Sequence, residues 1–216
     1  SSPLPPPPHT PNMGTDDGGR IRTGAFHCNP LCPRPVGSSY LLWGHVDTSF
    51  PLQGLVGPDW ACMCVTYCLI LGGTASVCRW ILPGSGLGEL GYAAELGLCA
   101  ATCCCYTKAA CSDPGIVFKE MYDLHDMDEE FGGVEGGDKV PRNRCMHCDV
   151  IRGPNAQHCY DCDLCIRGLD HHCPWTGKCI GERTLWNFHM FLGSLCGLII
   201  FSLVCVFAFL SAPVDE

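Results

Sequence analysis

Charged residues are scarce in this sequence, and most of them are acidic. They make up 16% of the 216 residues, and 22 acidic against 13 basic side chains give a net charge of −9. An acidic chain with an isoelectric point of about 5.4 lacks the basic face that nucleic acids require, so a zinc-finger nucleic-acid binder is disfavoured. A hydrophobic content of 47% and a mean hydropathy of +0.14 are high for a soluble protein.

The amino terminus lacks the features of a secretory signal. Residues 1–12 read SSPLPPPPHTPN, without the basic and apolar regions that such a peptide needs. In a small secreted protein the 20 cysteines would suggest a disulfide framework. Without that signal, and with cysteine and histidine at metal-type spacing, a reducing compartment is favoured. We therefore expect the cysteine-rich part of the chain to face the cytosol.

Two segments lack the apolar periodicity of a folded core. Residues 1–60 are rich in proline and glycine and predict a largely disordered tail, in which His27, Cys28 and Cys32 are a weak signal for a further metal site. Residues 113–144 carry many acidic side chains without the D-x-D-x-D-G register of a calcium loop, and they predict a solvated linker.

Long uncharged stretches predict three membrane-spanning helices, at about 61–82, 90–111 and 184–212, the last followed by a short tail at 213–216. The second stretch is weaker because Glu95 and Lys108 interrupt it, and hydropathy alone equally fits an interfacial helix. Basic residues are concentrated between the second and third stretches, which predicts that this segment lies on the cytosolic side of the membrane.

The candidate metal-ligating and nucleophilic residues are concentrated in residues 145–183. They contain seven Cys and four His, whereas two closed tetrahedral zinc sites need eight ligands, so three residues are left over. We discount His147, which lies between two cysteines of one C-x2-C pair. The other two should come from the DHHC run at 170–173, because adjacent side chains cannot all converge on one ion. A spare His and Cys beside an Asp are the parts of an activated thiol nucleophile.

The run DHHCPW at 170–175, with the Cys and His spacing before it and CIG after it, resembles the cysteine-rich domain of the DHHC protein S-acyltransferases (palmitoyltransferases). The DPG at 113–115, just after the second apolar stretch, is also typical of that family. The resemblance implies an all-α multi-pass membrane protein of the plasma membrane or an endomembrane. A cytosolic, loop-rich, two-zinc domain with short β-hairpins would lie between transmembrane helices 2 and 3.

The resemblance also implies a division of labour within the cysteine-rich domain. Cys173 would be the nucleophile that carries the acyl group, His171 its base, and Asp170 the residue that orients His171. Two structural zinc ions would be held by interleaved sets: Cys145, Cys148, His158 and Cys165 in one, and Cys159, Cys162, His172 and Cys179 in the other. A catalytic zinc is disfavoured because both sets are complete.

Partners follow from the same resemblance. Long-chain acyl-CoA would be the co-substrate, and the acceptors would be cysteines of cytosolic or membrane proteins close to the lipid bilayer. Lys178 and Arg183 are candidates to bind the coenzyme A phosphates, although anchoring of the membrane topology by basic residues explains them equally well.

The alternative to an active acyltransferase is a catalytically inactive, zinc-dependent membrane adaptor, or a fragment of such an enzyme. The family typically has a fourth spanning helix with a Thr-Thr-x-Glu motif after it, and Asn where this sequence has Thr184.

Overall fold

A computed structural model describes residues 34–44, 50–117, 144–153 and 155–212. Predictions for three segments lie outside these residues: 1–33, including the weak metal signal at Cys28 and Cys32, 118–143 of the acidic linker, and 213–216. The described residues form seven strands and three α-helices, namely β1 Arg34–Val36, β2 Ser39–Trp43, β3 Gly54–Val56, α1 Trp60–Ser76, α2 Gly88–Cys111, β4 Ala156–Cys159, β5 Leu164–Arg167, β6 His171–Cys173, β7 Lys178–Ile180 and α3 Leu185–Ser211.

Two helices of the described residues are long and apolar enough to cross a membrane, judged by length and composition. The first is Trp60–Gly84, in which α1 continues through a π-helical turn and a final 3-10 turn. The second is α3, with a mean hydropathy of 2.5. Both agree with the predicted stretches at 61–82 and 184–212 to within a few residues.

The α2 helix is not apolar enough to count as a candidate membrane span, as the charges that interrupt it predict. It nevertheless packs along α3, with the Tyr106 ring 4.9 Å from that of Phe191 and 4.7 Å from that of Tyr67 on α1. Glu95 is fully buried, and its carboxylate accepts a hydrogen bond of 3.0 Å from the Ser202 hydroxyl on α3. The acidic residue that argues against a spanning helix therefore has a polar partner inside the bundle.

Part of the segment expected to be a disordered tail is instead an ordered antiparallel sheet, β1-β2-β3. Leu41 and Leu55 are buried on one face of it and pack against Ile166, Cys162 and Cys179 of the cysteine-rich domain. Burial of these leucines offsets the entropy of ordering a glycine-rich segment. The sequence does not reveal this sheet, because its apolar partners in the cysteine-rich domain lie more than a hundred residues further along the chain.

Two short β-hairpins, β4–β5 and β6–β7, form the cysteine-rich domain, as predicted. Residues directly after α2 join the first hairpin: Ile116 forms an isolated bridge with Ile166, and the Val117 backbone N–H donates to the Cys165 carbonyl at 2.9 Å. The predicted linker therefore begins inside the domain, and only a few residues of backbone separate α2 from the cysteine-rich hairpins.

If the sheet stabilises the cysteine-rich domain, Leu55→Ala should lower the free energy of unfolding by about 2–5 kcal/mol, because it leaves a cavity beside Cys162 and Cys179. Thermal unfolding of the full chain in detergent micelles measures the change. The matched control is Leu52→Ala, since Leu52 is 73% exposed and should have little effect. Equal melting temperatures for the two variants would contradict a stabilising role for the sheet.

Candidate metal centres and nucleophile

Each of the two C-x2-C pairs is followed by a turn of the same conformation. Asp149 follows the pair Cys145/Cys148 and Asp163 follows Cys159/Cys162, with φ angles of 55° and 52°. Aspartate tolerates this left-handed conformation better than most residues. The turn folds the chain back so that the two thiols of each pair approach one point. The repeated C-x2-C-D pattern is a sequence signal for these turns that the sequence analysis did not use.

Each hairpin adds one histidine and one cysteine directly opposite each other. His158 pairs with Cys165 across β4–β5, and His172 pairs with Cys179 across β6–β7. Directly opposed residues of an antiparallel pair lie on the same face with neighbouring side chains. Cys159 is adjacent to His158 and therefore points to the other face, towards the second set. Strand alternation is thus the physical reason that the two sets interleave.

The structure brings together the two four-residue sets that the resemblance implies. In each set the ligand atoms all lie within 4.8 Å of one another. Cys148 Sγ is 3.2 Å from His158 Nδ1, and Cys162 Sγ is 3.4 Å from His172 Nδ1 and 3.5 Å from Cys179 Sγ. Tetrahedral coordination with bonds of about 2.3 Å to sulfur and 2.0 Å to nitrogen puts ligand atoms about 3.5–3.8 Å apart. Both sets could therefore hold a metal ion.

The thiols within each set perturb one another strongly. The hydrogen bond with Cys165 and the nearby His158 lower the pKa of Cys148 to about 6, and contact with Cys179 lowers the pKa of Cys162 to about 6. The same contacts, together with burial, raise the pKa of Cys165 and of Cys179. Each set therefore favours one thiolate, and the negative charge of that thiolate opposes the ionisation of a second thiol. A divalent cation would remove that opposition and fits this donor set.

Two other residues of the DHHC run, His171 and Cys173, lie on the face of β6 opposite to His172. Alternation along the strand puts His171 and Cys173 together on that face. His171 Nδ1 is 2.8 Å from Asp170 Oδ2, and its ring contacts Phe188 on α3 at 5.3 Å. Cys173 is 7% exposed, and among the contacts of the described residues no hydrogen bond joins its thiol to His171. The structure thus separates His172, whose Nδ1 faces a metal-ligating set, from His171, whose Nδ1 meets Asp170.

The loop after Cys173 is attached to both preceding helices. Its residues Pro174–Thr176 form a 3-10 turn, in which the Trp175 carbonyl accepts hydrogen bonds from the Tyr106 hydroxyl at 2.6 Å and the Thr66 hydroxyl at 3.1 Å. Tyr106 lies on α2 and Thr66 on α1. Sequence reasoning missed both, because a polar residue inside an apolar helix does not reveal which carbonyl it meets.

Lys178 has a different environment from the predicted one. It is 1% exposed, and its ammonium donates to the carbonyl oxygens of Ser112 and, at 3.3 Å, of Ala109. Burial lowers the pKa of Lys178 to about 8. These acceptors are the last carbonyls of α2, where a cation interacts favourably with the helix dipole. Lys178 therefore caps α2 and does not face solvent as a phosphate ligand would.

Arg183 holds the same end of α2 through the DPG motif. Its guanidinium donates to Asp113 Oδ2 at 2.8 Å, and the Asp113 side chain is fully buried. Asp113 Oδ1 accepts from the backbone N–H groups of Gly115 at 2.8 Å and Ile116 at 2.9 Å. The aspartate thus forms the turn that leads from α2 into the cysteine-rich domain. The Arg183 side chain stays 30% exposed.

Comparison with known proteins agrees with this geometry. Residues 138–216, which include every metal-ligating candidate and Cys173, match the family model of the DHHC palmitoyltransferases. The match supports the DHHC palmitoyltransferase family for this part of the chain. The resemblance drawn from the DHHCPW run is thereby confirmed.

The chain is similar to several curated DHHC proteins. It is 43% identical over 76 residues to mouse palmitoyltransferase ZDHHC14, covering 35% of this chain and 15% of that protein. It is 36% identical over 121 residues to palmitoyltransferase ZDHHC9 of Pongo abelii and 34% identical over 108 residues to palmitoyltransferase ERF2 of Candida glabrata. These matches cover 47% and 44% of this chain, and 32% and 33% of the relatives. The chain therefore spans a third or less of the curated relatives it matches.

We expect Lys178→Met to destabilise the protein by about 1–3 kcal/mol, because it leaves the buried carbonyls of Ser112 and Ala109 without their donor. Thermal unfolding in micelles gives the measurement. Lys108→Met on the exposed side of α2 is the matched control and should change little. A Lys178 variant as stable as the control would show that the ammonium does not hold the end of α2.

Proposed function

We propose that this protein is an integral membrane S-acyltransferase of the DHHC family. It would move a long-chain acyl group from acyl-CoA to Cys173, and then to a cysteine of a protein substrate near the membrane. One observation carries the proposal: on β6, His172 faces a metal-ligating set, while His171 and Cys173 share the opposite face beside Asp170. A purely structural metal domain has no need of a second, carboxylate-bound histidine next to a thiol.

Zinc fits both ligand sets best, because three thiolates and one imidazole are ligands that it prefers in closed tetrahedral sites. Bound zinc would stabilise short hairpins that have little apolar core of their own. Each set supplies four ligands from protein and keeps no coordination position for a substrate. We therefore assign the ions a structural role and the chemistry to the side chains of the DHHC run.

The side chains of the DHHC run suffice for thioester exchange. The Asp170 carboxylate accepts the Nδ1–H of His171, which leaves Nε2 as the base. His171 takes the proton of Cys173, the thiolate attacks the acyl-CoA carbonyl, and the coenzyme A thiolate leaves and is protonated by His171. In the second step His171 takes the proton of the substrate thiol, and the resulting thiolate attacks the Cys173 thioester. Cys173 leaves as a thiolate and is protonated by His171. Each step forms one thioester and breaks one, so little energy separates the two.

A groove between α1 and α3 supports a long acyl chain as the transferred group. It has a volume of about 400 Å³ and is lined mostly by apolar side chains, such as Leu69, Leu198 and Val206. Thr66 lines one end of it and also donates to the Trp175 carbonyl, two residues after Cys173. A chain attached to Cys173 would therefore have an apolar surface within reach.

The membrane topology is also part of this proposal. The two apolar helices and α2 would form three spans, with the cysteine-rich domain on the cytosolic side, as the basic residues predict. The thiol of Cys173 lies twelve residues before α3, close to the membrane surface where acyl chains of acyl-CoA partition. Acceptor cysteines near the bilayer would reach the same surface.

The purified chain should contain about two zinc ions, and Cys162→Ser should reduce this number to about one, because it removes one thiolate from the second set. Elemental analysis after dialysis against a weak chelator measures the content. Cys104→Ser on the exposed side of α2 is the matched control and should keep both ions. Full zinc content in Cys162→Ser would contradict the assignment of that set.

Incubation with a clickable long-chain acyl-CoA should label the protein through a hydroxylamine-sensitive thioester. We expect the label to disappear in Cys173→Ser and Cys173→Ala. His171→Ala should slow labelling by about 10²–10⁴-fold, because the base is lost. The rate of labelling in micelles is read by in-gel fluorescence.

Cys196→Ser, at an exposed thiol of α3, controls for adventitious acylation and should label like the parent protein. Label that persists without Cys173 would place the acylated thiol elsewhere. A well-folded, zinc-loaded protein that takes no label at Cys173 would contradict the transferase and favour the adaptor.

A further inference from the structure

The residue directly before α1 contacts the second metal-ligating set. Asp59 Oδ2 is 2.7 Å from His172 Nε2, although 113 residues separate the two in sequence. Only 13% of the His172 side chain is exposed, so the contact between its ring and the carboxylate is partly shielded from water. The contact joins the beginning of an apolar helix to a ligand of the cysteine-rich domain.

The geometry of His172 requires a hydrogen-bond acceptor at its Nε2 atom. Its Nδ1 faces three thiols, at 3.4 Å from Cys162, 3.6 Å from Cys159 and 3.7 Å from Cys179. An imidazole that ligates a metal through Nδ1 carries its proton on Nε2, and a hydrogen-bond acceptor for that proton fixes the tautomer and the orientation of the ring. Asp59 lies where this acceptor is needed.

The backbone fixes the position of Asp59. Its N–H donates to the Gly177 carbonyl at 3.2 Å, and a Cβ added at Gly57 would lie 2.0 Å from that same oxygen. Only glycine at position 57 therefore lets the chain approach the loop after Cys173 this closely. The carboxylate is thus held in place by the segment that connects β3 to α1, and not by side-chain packing alone.

The first set lacks an equivalent contact among the described residues. His158 Nε2 is 3.8 Å from Asp163 Oδ1, which is beyond hydrogen-bond distance. Asp163 is also more exposed than Asp59, with 66% against 38% of its side chain accessible. The two otherwise similar sets therefore differ in how their histidines are supported, and this difference supplies an internal comparison.

We propose that Asp59 is a positioning residue of the second metal site, which binds the Nε2–H of His172 and so makes the beginning of α1 part of that site. The proposal rests on the metal-ligating sets and not on acyl transfer. Loss of an outer carboxylate partner typically lowers metal affinity by about 10–100-fold. Because Cys173 follows His172 directly, the same contact ties the position of the nucleophile to α1.

The test measures zinc release from the full chain in micelles under an excess of chelator with a colorimetric readout. Asp59→Ala should accelerate the release of one of the two ions by about 10–100-fold and leave the other unchanged. Asp59→Asn keeps a side-chain oxygen acceptor and should give a smaller effect. Asp163→Asn is the matched control, and both ions should leave as in the parent protein.

Cadmium-113 NMR of the metal-exchanged protein identifies the affected site. We expect Asp59→Ala to shift or broaden only the resonance coupled to Cys159, Cys162 and Cys179. Release rates within twofold of the parent protein, or equal acceleration at both sites, would overturn the proposal, the latter because it would indicate a general loss of packing. Neither outcome bears on acyl transfer, which the labelling of Cys173 tests separately.

Discussion

The antiparallel pairing of one histidine with one cysteine in each hairpin is the arrangement on which the rest of the cysteine-rich domain depends. His158 with Cys165, and His172 with Cys179, converge with a C-x2-C pair on a single point. Without a cation, thiols this close oppose one another's ionisation, so the arrangement is favourable only when positive charge is present. The hairpins are too short to bury much apolar surface themselves. Docking of neighbouring elements contributes to their stability, and metal coordination by the two candidate sets would add to it.

Three elements outside the hairpins provide that docking. The β1–β3 sheet covers the second set with Leu41 and Leu55, and the end of α2 is capped by Lys178 and fixed through Asp113. The beginning of α1 reaches His172 through Asp59. Each contact joins an element outside the hairpins to the residues around the DHHC run. A movement of α1 or α2 would therefore be felt at the loop that follows the nucleophile.

This connection gives the proposed chemistry a physical setting. A thiol acceptor for a fatty acyl chain must lie where polar coenzyme A and an apolar chain can both be accommodated. Cys173 lies between a histidine bound to a carboxylate and a loop held by two helices, one of which lines an apolar groove. Strand alternation separates His171 and Cys173 from His172, which faces a metal-ligating set. Metal binding and the proposed nucleophilic chemistry would therefore use neighbouring positions without competing for the same ion.

The sequence by itself determined the features that are local or periodic. The C-x2-C pairs and the DHHC run indicated two metal sites and resembled a known family, and that resemblance implied both ligand sets. Uncharged stretches led to two apolar helices. Tertiary structure alone decided what distant residues do. Lys178, expected near phosphates, caps α2, and Asp59 finds His172 across 113 residues. The reason is physical: side-chain chemistry and spacing specify what a residue is able to bind, whereas packing of remote segments decides which partner it meets.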